Sequence, residues 1–338
     1  MDQEFHYYIT GLIAKKAGFN KEETSIIAYS SEFVDENDIC FEILDRKTNE
    51  VYRNFISQTM NILKPKNELI RIYSIFHFIP GEPDAYSARR RDGKMHILNT
   101  TPDSYNANML IENAFKAPEE TRLYRIGIAS HSYVDSWAHQ NFVGWYDDFN
   151  AIGMDFKPNI GHADAEHHPD MIGHKWIDKR LVNAEINNIN IFLSAAKHLF
   201  LKYCEYLKSQ KREDNSELWD ELEKDLIDIQ LPAYTGDKKR YEDKRIKKYK
   251  ELIDLDDFDD HKWFNQAIDT EIHGGKDSHN GIKNKLILFR DKYFWKQDIL
   301  KEKTHWYNFQ RAVKAHEKFG IKLLSNTFKK MGFDLSNT

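Results

Sequence analysis

Apolar residues recur at helical spacing along most of this chain. Between about residues 172 and 208 they lie three or four positions apart, which predicts one long core helix. Asn20 and Glu23 form a capping-box pattern that predicts a helix through about Val34. Gly18 is placed to end the helix before it. The dominant pattern is therefore that of an all-α protein.

Prolines and glycines predict where the other helices begin and end. Thr101-Pro102 and Ala117-Pro118 each resemble a helix start with proline at the first position. Pro232 to Gly236 is the best candidate boundary within the chain. It would separate a domain at 1–232 from a helical C-terminal extension at 233–338. The extension either stands apart or belongs to the same domain.

Composition excludes several classes of protein. The 338 residues are 41% hydrophobic, which suffices for a sizeable core, and the formal net charge of −5 gives no global positive field that would recruit nucleic acid or membrane. Two cysteines are too few for a disulfide framework. The sequence shows no signal-peptide pattern and no apolar window of about 18 residues. We expect a cytoplasmic protein without integral membrane association.

Two clusters of histidine and carboxylate carry the chemistry. In HSYVDSWAHQNF, His131, Asp135 and His139 lie four residues apart, so a helix would project all three from one stripe. In GHADAEHHPD, His162 and Glu166 repeat the four-residue step. One such triplet alone is more often an ordinary amphipathic helix, but two adjacent clusters favour a metal site.

The ligand types favour zinc. Imidazole with carboxylate suits zinc, whereas calcium and magnesium prefer shells made only of oxygen. Helical spacing favours Glu166 as the carboxylate of the second cluster. If that segment is a loop up to Pro169, Asp164 is the rival ligand.

The candidate ligands also occur in a characteristic order. Along the chain they are His6, Asp35, His77, His131, Asp135, His139, His162 and Glu166, which is too many for one zinc ion. This series, with SSEFVDEND around Asp35 and FHFIPGEP around His77, resembles the zinc-dependent phospholipase C and fungal single-strand-specific nuclease superfamily. The opening EFHYYIT is similar to that of a bacterial family of unknown function related to this superfamily.

The resemblance covers roughly the first half of the chain and implies a phospholipase C or nuclease-like helical bundle that holds two or three zinc ions. It implies a first site of Asp35, His77, His131 and Asp135, a second of His139, His162 and Glu166, and a third of His6, Asp135 and the N-terminal residue. Asp135 would bridge two sites.

The sequence departs from the superfamily at two places. His139 lies four positions after Asp135, where the superfamily usually leaves five residues between. The superfamily's N-terminal ligand is typically a tryptophan, whereas Met1 stands five residues before His6. The Met1 amine, with a reference pKa of roughly 8, could deprotonate onto a metal. Asp2 or Glu4 could take its place.

Substrate contacts are also suggested by sequence. Arg89 and Arg90 follow His77 in a loop, where they either grip a substrate phosphate or are simply solvated. Phe78 either stacks on substrate or packs in the core.

The resemblance implies a metal-dependent hydrolase of phosphoester bonds. Nucleotides and nucleic acids are favoured as substrates over phospholipids. Asp135 and Asp35 are the catalytic carboxylates, with Asp35 orienting the attacking water or accepting its proton. The alternative is a non-catalytic, metal-stabilised helical protein that acts through its C-terminal extension.

Overall fold

The computed structural model describes residues 1–61, 63–153, 160–231, 238–272 and 291–335, with the backbone alone for 238–241. The α-helices of these residues are α1 Thr10–Ala17, α2 Lys21–Glu36, α3 Lys66–Ile72, α4 Tyr105–Phe115, α5 Glu119–Ala138, α6 Asn188–Ser209, α7 Trp219–Gln230, α8 Lys238–Leu252, α9 Lys262–Ala267 and α10 His305–Lys330. Two π-helical segments, Glu4–Ile9 and Tyr73–His77, adjoin α1 and α3. No described helix is long and apolar enough to cross a membrane.

The prediction of an all-α fold is wrong. The strands β1 Glu42–Leu44, β2 Val51–Arg53, β5 Ile268–Glu271 and β6 Lys292–Trp295 form a mixed sheet in the order β2-β1-β6-β5. Within it β1 runs parallel to β6, and the other neighbours are antiparallel. The strands β3 Lys175–Ile177 and β4 Glu185–Asn187 form a separate antiparallel pair. The fold is therefore mixed, with helices predominating.

The central helix is α5, which is buried along most of its length and packs against α2, α4, α6 and α10. Gly127 permits the closest approach, because a Cβ there would lie 2.5 Å from the backbone oxygen of Ile27 and from the Cβ of Ser30. This contact sets the last turn of α2 beside the second half of α5. Asp35 is thereby brought towards His131.

One hydrophobic core extends from Met1 to Leu335. Residues of the predicted C-terminal extension take part in it, since α10 packs against α5 and β6 pairs with β1. The predicted boundary at Pro232 to Gly236 lies outside the described residues.

The predicted helix boundaries agree with the structure to different degrees. The capping box at Asn20 and Glu23 is present, and α2 ends at Glu36. The helix expected from about Ile172 begins only at Asn188, because the residues before it form β3 and β4. The start expected at Pro102 is displaced to Tyr105, where the Ser104 side chain accepts the capping hydrogen bond.

Candidate metal centre

Eight side chains that could bind metal come together in the interior of the protein. They are His6, Asp35, His77, His131, Asp135, His139, His162 and Asp170, and they form three groups within which the ligand atoms lie within 4.8 Å of one another. The groups are His6, Asp35 and His131; His77, His131 and Asp135; and His139, His162 and Asp170. Seven of the eight were predicted from sequence.

Helix ends supply most of these side chains. Asp35 lies in the last turn of α2, His131 and Asp135 lie in the last two turns of α5, and His139 is the residue that caps α5. The two π-helical segments each carry one more, His6 and His77. Single π-helical turns are frequent at functional sites.

Asp135 lies at the centre of the cluster and is almost fully buried. Its Oδ1 is 3.2 Å from His6 Nε2, and its Oδ2 is 3.2 Å from His131 Nε2. The Oδ2 atom is also 3.6 Å from His77 Nδ1 and 3.5 Å from His139 Nδ1. The two carboxylate oxygens therefore face different sets of imidazoles, which is an arrangement suited to bridging two ions.

Backbone carbonyls orient four of the imidazoles. In each case one ring nitrogen is within hydrogen-bond distance of a carbonyl oxygen and can donate to it. The pairs are His131 Nδ1 with Ser31 at 2.8 Å, His77 Nε2 with Ser57 at 2.9 Å, His139 Nδ1 with His77 at 2.7 Å, and His162 Nδ1 with Glu166 at 2.7 Å. Such bonds fix the ring and leave the other nitrogen for a metal, as in known metal sites.

The carboxylates of the cluster are held in their ionised form. Burial opposes ionisation of Asp135, but His139, the N-terminal amine and His131 hold its pKa well below the usual range. Burial likewise opposes ionisation of Asp170, whose pKa is held low by His162 and the same amine. For Asp35, burial is outweighed by His131 and His77, which lower its pKa. Ionised carboxylates are the form that binds metal.

His6 is fully buried and neutral. Burial, His131 and the N-terminal charge lower its pKa to about 3. Its ring stacks on that of His131 with 3.8 Å between centroids. Neither ring nitrogen has a hydrogen-bond partner of good geometry in the described part of the chain. A buried imidazole with its lone pair unused is suited to metal ligation.

The Met1 amine lies inside the same cluster, 2.6 Å from Asp135 Oδ1 and 3.1 Å from Asp170 Oδ1. Burial alone would lower the pKa of this amine, but Asp135, Asp170 and Asp35 raise it to about 11. The carboxylate of Glu4, one predicted rival, instead accepts from Arg245 Nε at 2.6 Å. Asp2 is not among the grouped ligand residues.

Glu166 is not brought into the cluster, and Asp170 occupies the expected place. The segment is not an α-helix: a single 3-10 turn at Ala163–Ala165 leads to Glu166, whose φ of 53° reverses the chain and leaves its side chain exposed. Asp170 then lies with Oδ1 3.0 Å from His139 Nε2 and Oδ2 3.1 Å from His162 Nε2.

Asp164, the other rival, is also absent from the grouped ligands. Its Oδ2 accepts hydrogen bonds from the backbone amides of Ile152 and Gly153 at 2.6 and 2.9 Å. Asp164 therefore stabilises the backbone of the loop at Ile152 and Gly153.

The predicted substrate contacts are placed differently from one another. Phe78 is buried and stacks on His139, a candidate ligand, with 4.5 Å between centroids. Arg90 is also largely buried, and its Nη1 donates to the carbonyl of Phe149 at 2.8 Å. Arg89 is exposed and lies over the ring of Tyr86.

A family model described as a family of unknown function, DUF6765, matches residues 1–324. Because the match spans nearly the whole chain, the protein belongs to this family. Searches of the curated proteins and of the solved structures found no match.

Proposed function

We propose that this member of the DUF6765 family is a metal-dependent phosphoester hydrolase. The single observation that carries the proposal is the buried convergence of five imidazoles and three carboxylates. Its ordered ligand series resembles that of the zinc-dependent phospholipase C and nuclease superfamily. That resemblance implies phosphodiesters of nucleotides or nucleic acids, which we favour, or phospholipids.

The residues present fit bound cations. Asp135 and Asp170 are ionised and little exposed, and burial of uncompensated charge is costly unless a counter-charge lies within reach. The protonated Met1 amine supplies one positive charge against the three carboxylates. Metal ions placed among these groups would balance the charge and engage the free lone pair of the His6 ring.

Zinc is the metal that this donor set favours, because imidazole and carboxylate together suit it and the described ligands include no thiolate. We propose two or three ions. One would be held by Asp35, His77, His131 and Asp135. A second would be held by His139, His162 and Asp170. The third would be held by His6 and Asp135 with the Met1 amine, which must lose its proton to bind the ion.

In this proposal, residues of the chain have distinct roles in hydrolysis. Bound zinc would supply Lewis acidity and lower the pKa of a water molecule, so no nucleophilic side chain is needed. Asp35 is the most exposed of the three carboxylates, with 29% of its side chain accessible, and it is ionised. It is therefore placed to accept the proton of the attacking water. Gln58 Nε2, 3.2 Å from Asp35 Oδ1, orients it.

Asp135 has a different role from Asp35. Because it is almost fully buried and faces four imidazoles, it cannot meet the substrate and instead fixes the ligand geometry. The substrate phosphate approaches from the side where Asp35, His162 and Asp170 are partly exposed.

The test is hydrolysis of bis(4-nitrophenyl) phosphate by the zinc-loaded protein. We expect turnover that a chelator abolishes and added zinc restores. Asp135→Asn should lower kcat/KM by at least about 100-fold, because one change weakens two ligand sets. Asp164→Asn is the matched control, since that carboxylate lies nearby but serves a loop.

Two results would contradict the proposal. Activity that survives both the chelator and Asp135→Asn would place the chemistry elsewhere. Two or three tightly bound ions without hydrolysis of any phosphoester would favour the non-catalytic, metal-stabilised protein instead.

A further inference from the structure

A groove with a cavity volume of about 630 Å³ lies along the second half of α10. Its lining residues from α10 are Lys314, Glu317, Lys318, Ile321, Lys322, Ser325, Phe328 and Lys329. Phe55, Arg71, Asp334 and Leu335 complete it. We call this the basic groove. None of its residues belongs to the metal centre.

The cations of the basic groove are regularly spaced. Lys314, Lys318 and Lys322 are four residues apart on α10, which places one ammonium group about every 6 Å along one helix face. Lys329 extends the row, so that it covers about 22 Å. All four side chains are exposed, and no described carboxylate lies within ion-pair distance of them. The row is thus available to an anionic partner.

The acidic residues of the groove do little to cancel this charge. Glu317 is buried and pairs with Arg71, whose Nε lies 2.9 Å from its Oε2. Burial raises the pKa of Glu317. Only Asp334 adds an exposed negative charge. A concentrated positive strip therefore lies on a chain whose formal net charge is −5.

The floor of the groove is apolar. Phe55, Ile321 and Phe328 line it, and Lys314 Nζ lies 4.9 Å from the centroid of the Phe55 ring. A free phosphate would need neither this floor nor a row of cations about 22 Å long. A single-stranded nucleic acid matches both, since it has a charge at every backbone step and unpaired bases that pack on apolar and aromatic surfaces. A duplex keeps its bases stacked inside.

The basic groove adjoins the metal centre through shared segments. Arg71 lies in α3, which continues directly into the π-helical segment that ends at His77. Phe55 lies two residues before Ser57, whose carbonyl faces the ring of His77. The next residue, Gln58, contacts Asp35. A strand bound in the groove would therefore lie close to the exposed edge of the centre.

We propose that the basic groove binds the phosphodiester backbone of a single-stranded nucleic acid, next to the centre where one of its bonds is cleaved. The cleavage step of this inference rests on the proposed function, whereas binding of the strand in the groove does not depend on it.

The experiment measures fluorescence anisotropy of a labelled 12-nucleotide thymidylate with phosphorothioate linkages, which resist hydrolysis, on the zinc-loaded protein. The variant is Lys318→Gln with Lys322→Gln. Two lost phosphate contacts should weaken binding about tenfold at 0.15 M salt and should reduce the slope of log K against log salt by about 1.4. The control is Lys224→Gln with Lys247→Gln, which removes the same charge from α7 and α8 and should change neither quantity.

Three outcomes would overturn this proposal. The first is equal affinity in wild type and the groove variant, and the second is an equal loss of affinity in the groove and control variants. The third is lysine-dependent binding to anionic phosphatidylglycerol vesicles without binding to the oligonucleotide. Failure of the proposed function gives a different result. Wild-type protein would then bind the strand through these lysines yet hydrolyse no bis(4-nitrophenyl) phosphate.

Discussion

At the scale of single residues, Asp170 shows how a loop completes the proposed metal site. Its two oxygens reach two imidazoles, those of His139 and His162, at 3.0 and 3.1 Å. The geometry depends on the left-handed φ of 53° at Glu166, which a glutamate adopts only where its surroundings hold it. Pro169 then restricts the residue before it and leads the chain back to the cluster.

We therefore expect Asp170→Asn to remove about one zinc ion per chain, because an amide binds zinc far more weakly than a carboxylate. The affinity for that ion should fall by at least about 100-fold. Glu166→Gln should retain full metal content. Elemental analysis after dialysis against a weak chelator distinguishes the two, and a loss confined to Glu166→Gln would restore the sequence-based assignment.

The difference between Asp135 and Asp170 shows what sequence can predict about the site. His131 and Asp135 were predictable because a helix converts a spacing of four residues into a shared face. The same spacing between His162 and Glu166 misled, since the chain there forms a 3-10 turn and a left-handed residue. Nothing in the local pattern states that the carboxylate eight residues after His162 returns to it.

At the scale of elements, the N-terminal π-helical segment is tied to the C-terminal part of the chain. Arg245 of α8 donates from Nε and Nη2 to the two oxygens of Glu4, at 2.6 and 2.9 Å, and both side chains are buried. Glu4 lies between two proposed ligands, the Met1 amine and His6. A helix outside the metal centre thus sets the position of its first residues.

Arg245→Met should lower the free energy of unfolding by about 3 kcal/mol, because it leaves the Glu4 carboxylate buried without its partner. It should also reduce occupancy of the ion near His6. Urea unfolding and metal content measure both effects. Lys250 lies on the same helix as Arg245 and forms a more exposed ion pair with Asp257. Lys250→Met breaks that pair and should change the free energy of unfolding and the metal content little.

The double variant Glu4→Gln with Arg245→Met is the sharper check, since it removes both charges together. Much of the lost stability should return. If the double variant is as unstable as the sum of the single ones, the pair does not act as a unit.

The elements missed by sequence share a physical cause. The strands β1, β2, β5 and β6 are three or four residues long, too short for alternation to stand out from helical spacing. Their stability comes from partners far along the chain, as in the register of Ile43 with Tyr293. The α2 capping box and the α5 stripe were recovered because both are local patterns.

At the scale of the whole molecule, the chain terminus is part of the interior. Met1 is 5% exposed, and its amine contacts two proposed ligand carboxylates. An added N-terminal peptide converts this amine into an amide, which neither carries the charge nor offers a lone pair.

An uncleaved N-terminal tag should therefore lower metal content by about one ion per chain and reduce turnover, whereas a C-terminal tag should do neither. Comparison with Asp2→Ala by elemental analysis separates the candidate ligands. Equal metal content in all these proteins would mean that the terminus contributes no ligand.

The parallel pairing of β1 with β6 also has a consequence for the order in which the protein is made. At ribosomal rates of about 5 to 20 residues per second, the roughly 250 residues between Ile43 and Tyr293 take about 12 to 50 seconds to emerge. During that interval β1 has no neighbour on one edge, and Arg245 has not yet reached Glu4 for most of it. The candidate ligand histidines and carboxylates therefore emerge before the elements that complete their enclosure, and the proposed metal ions would have access to them during that interval.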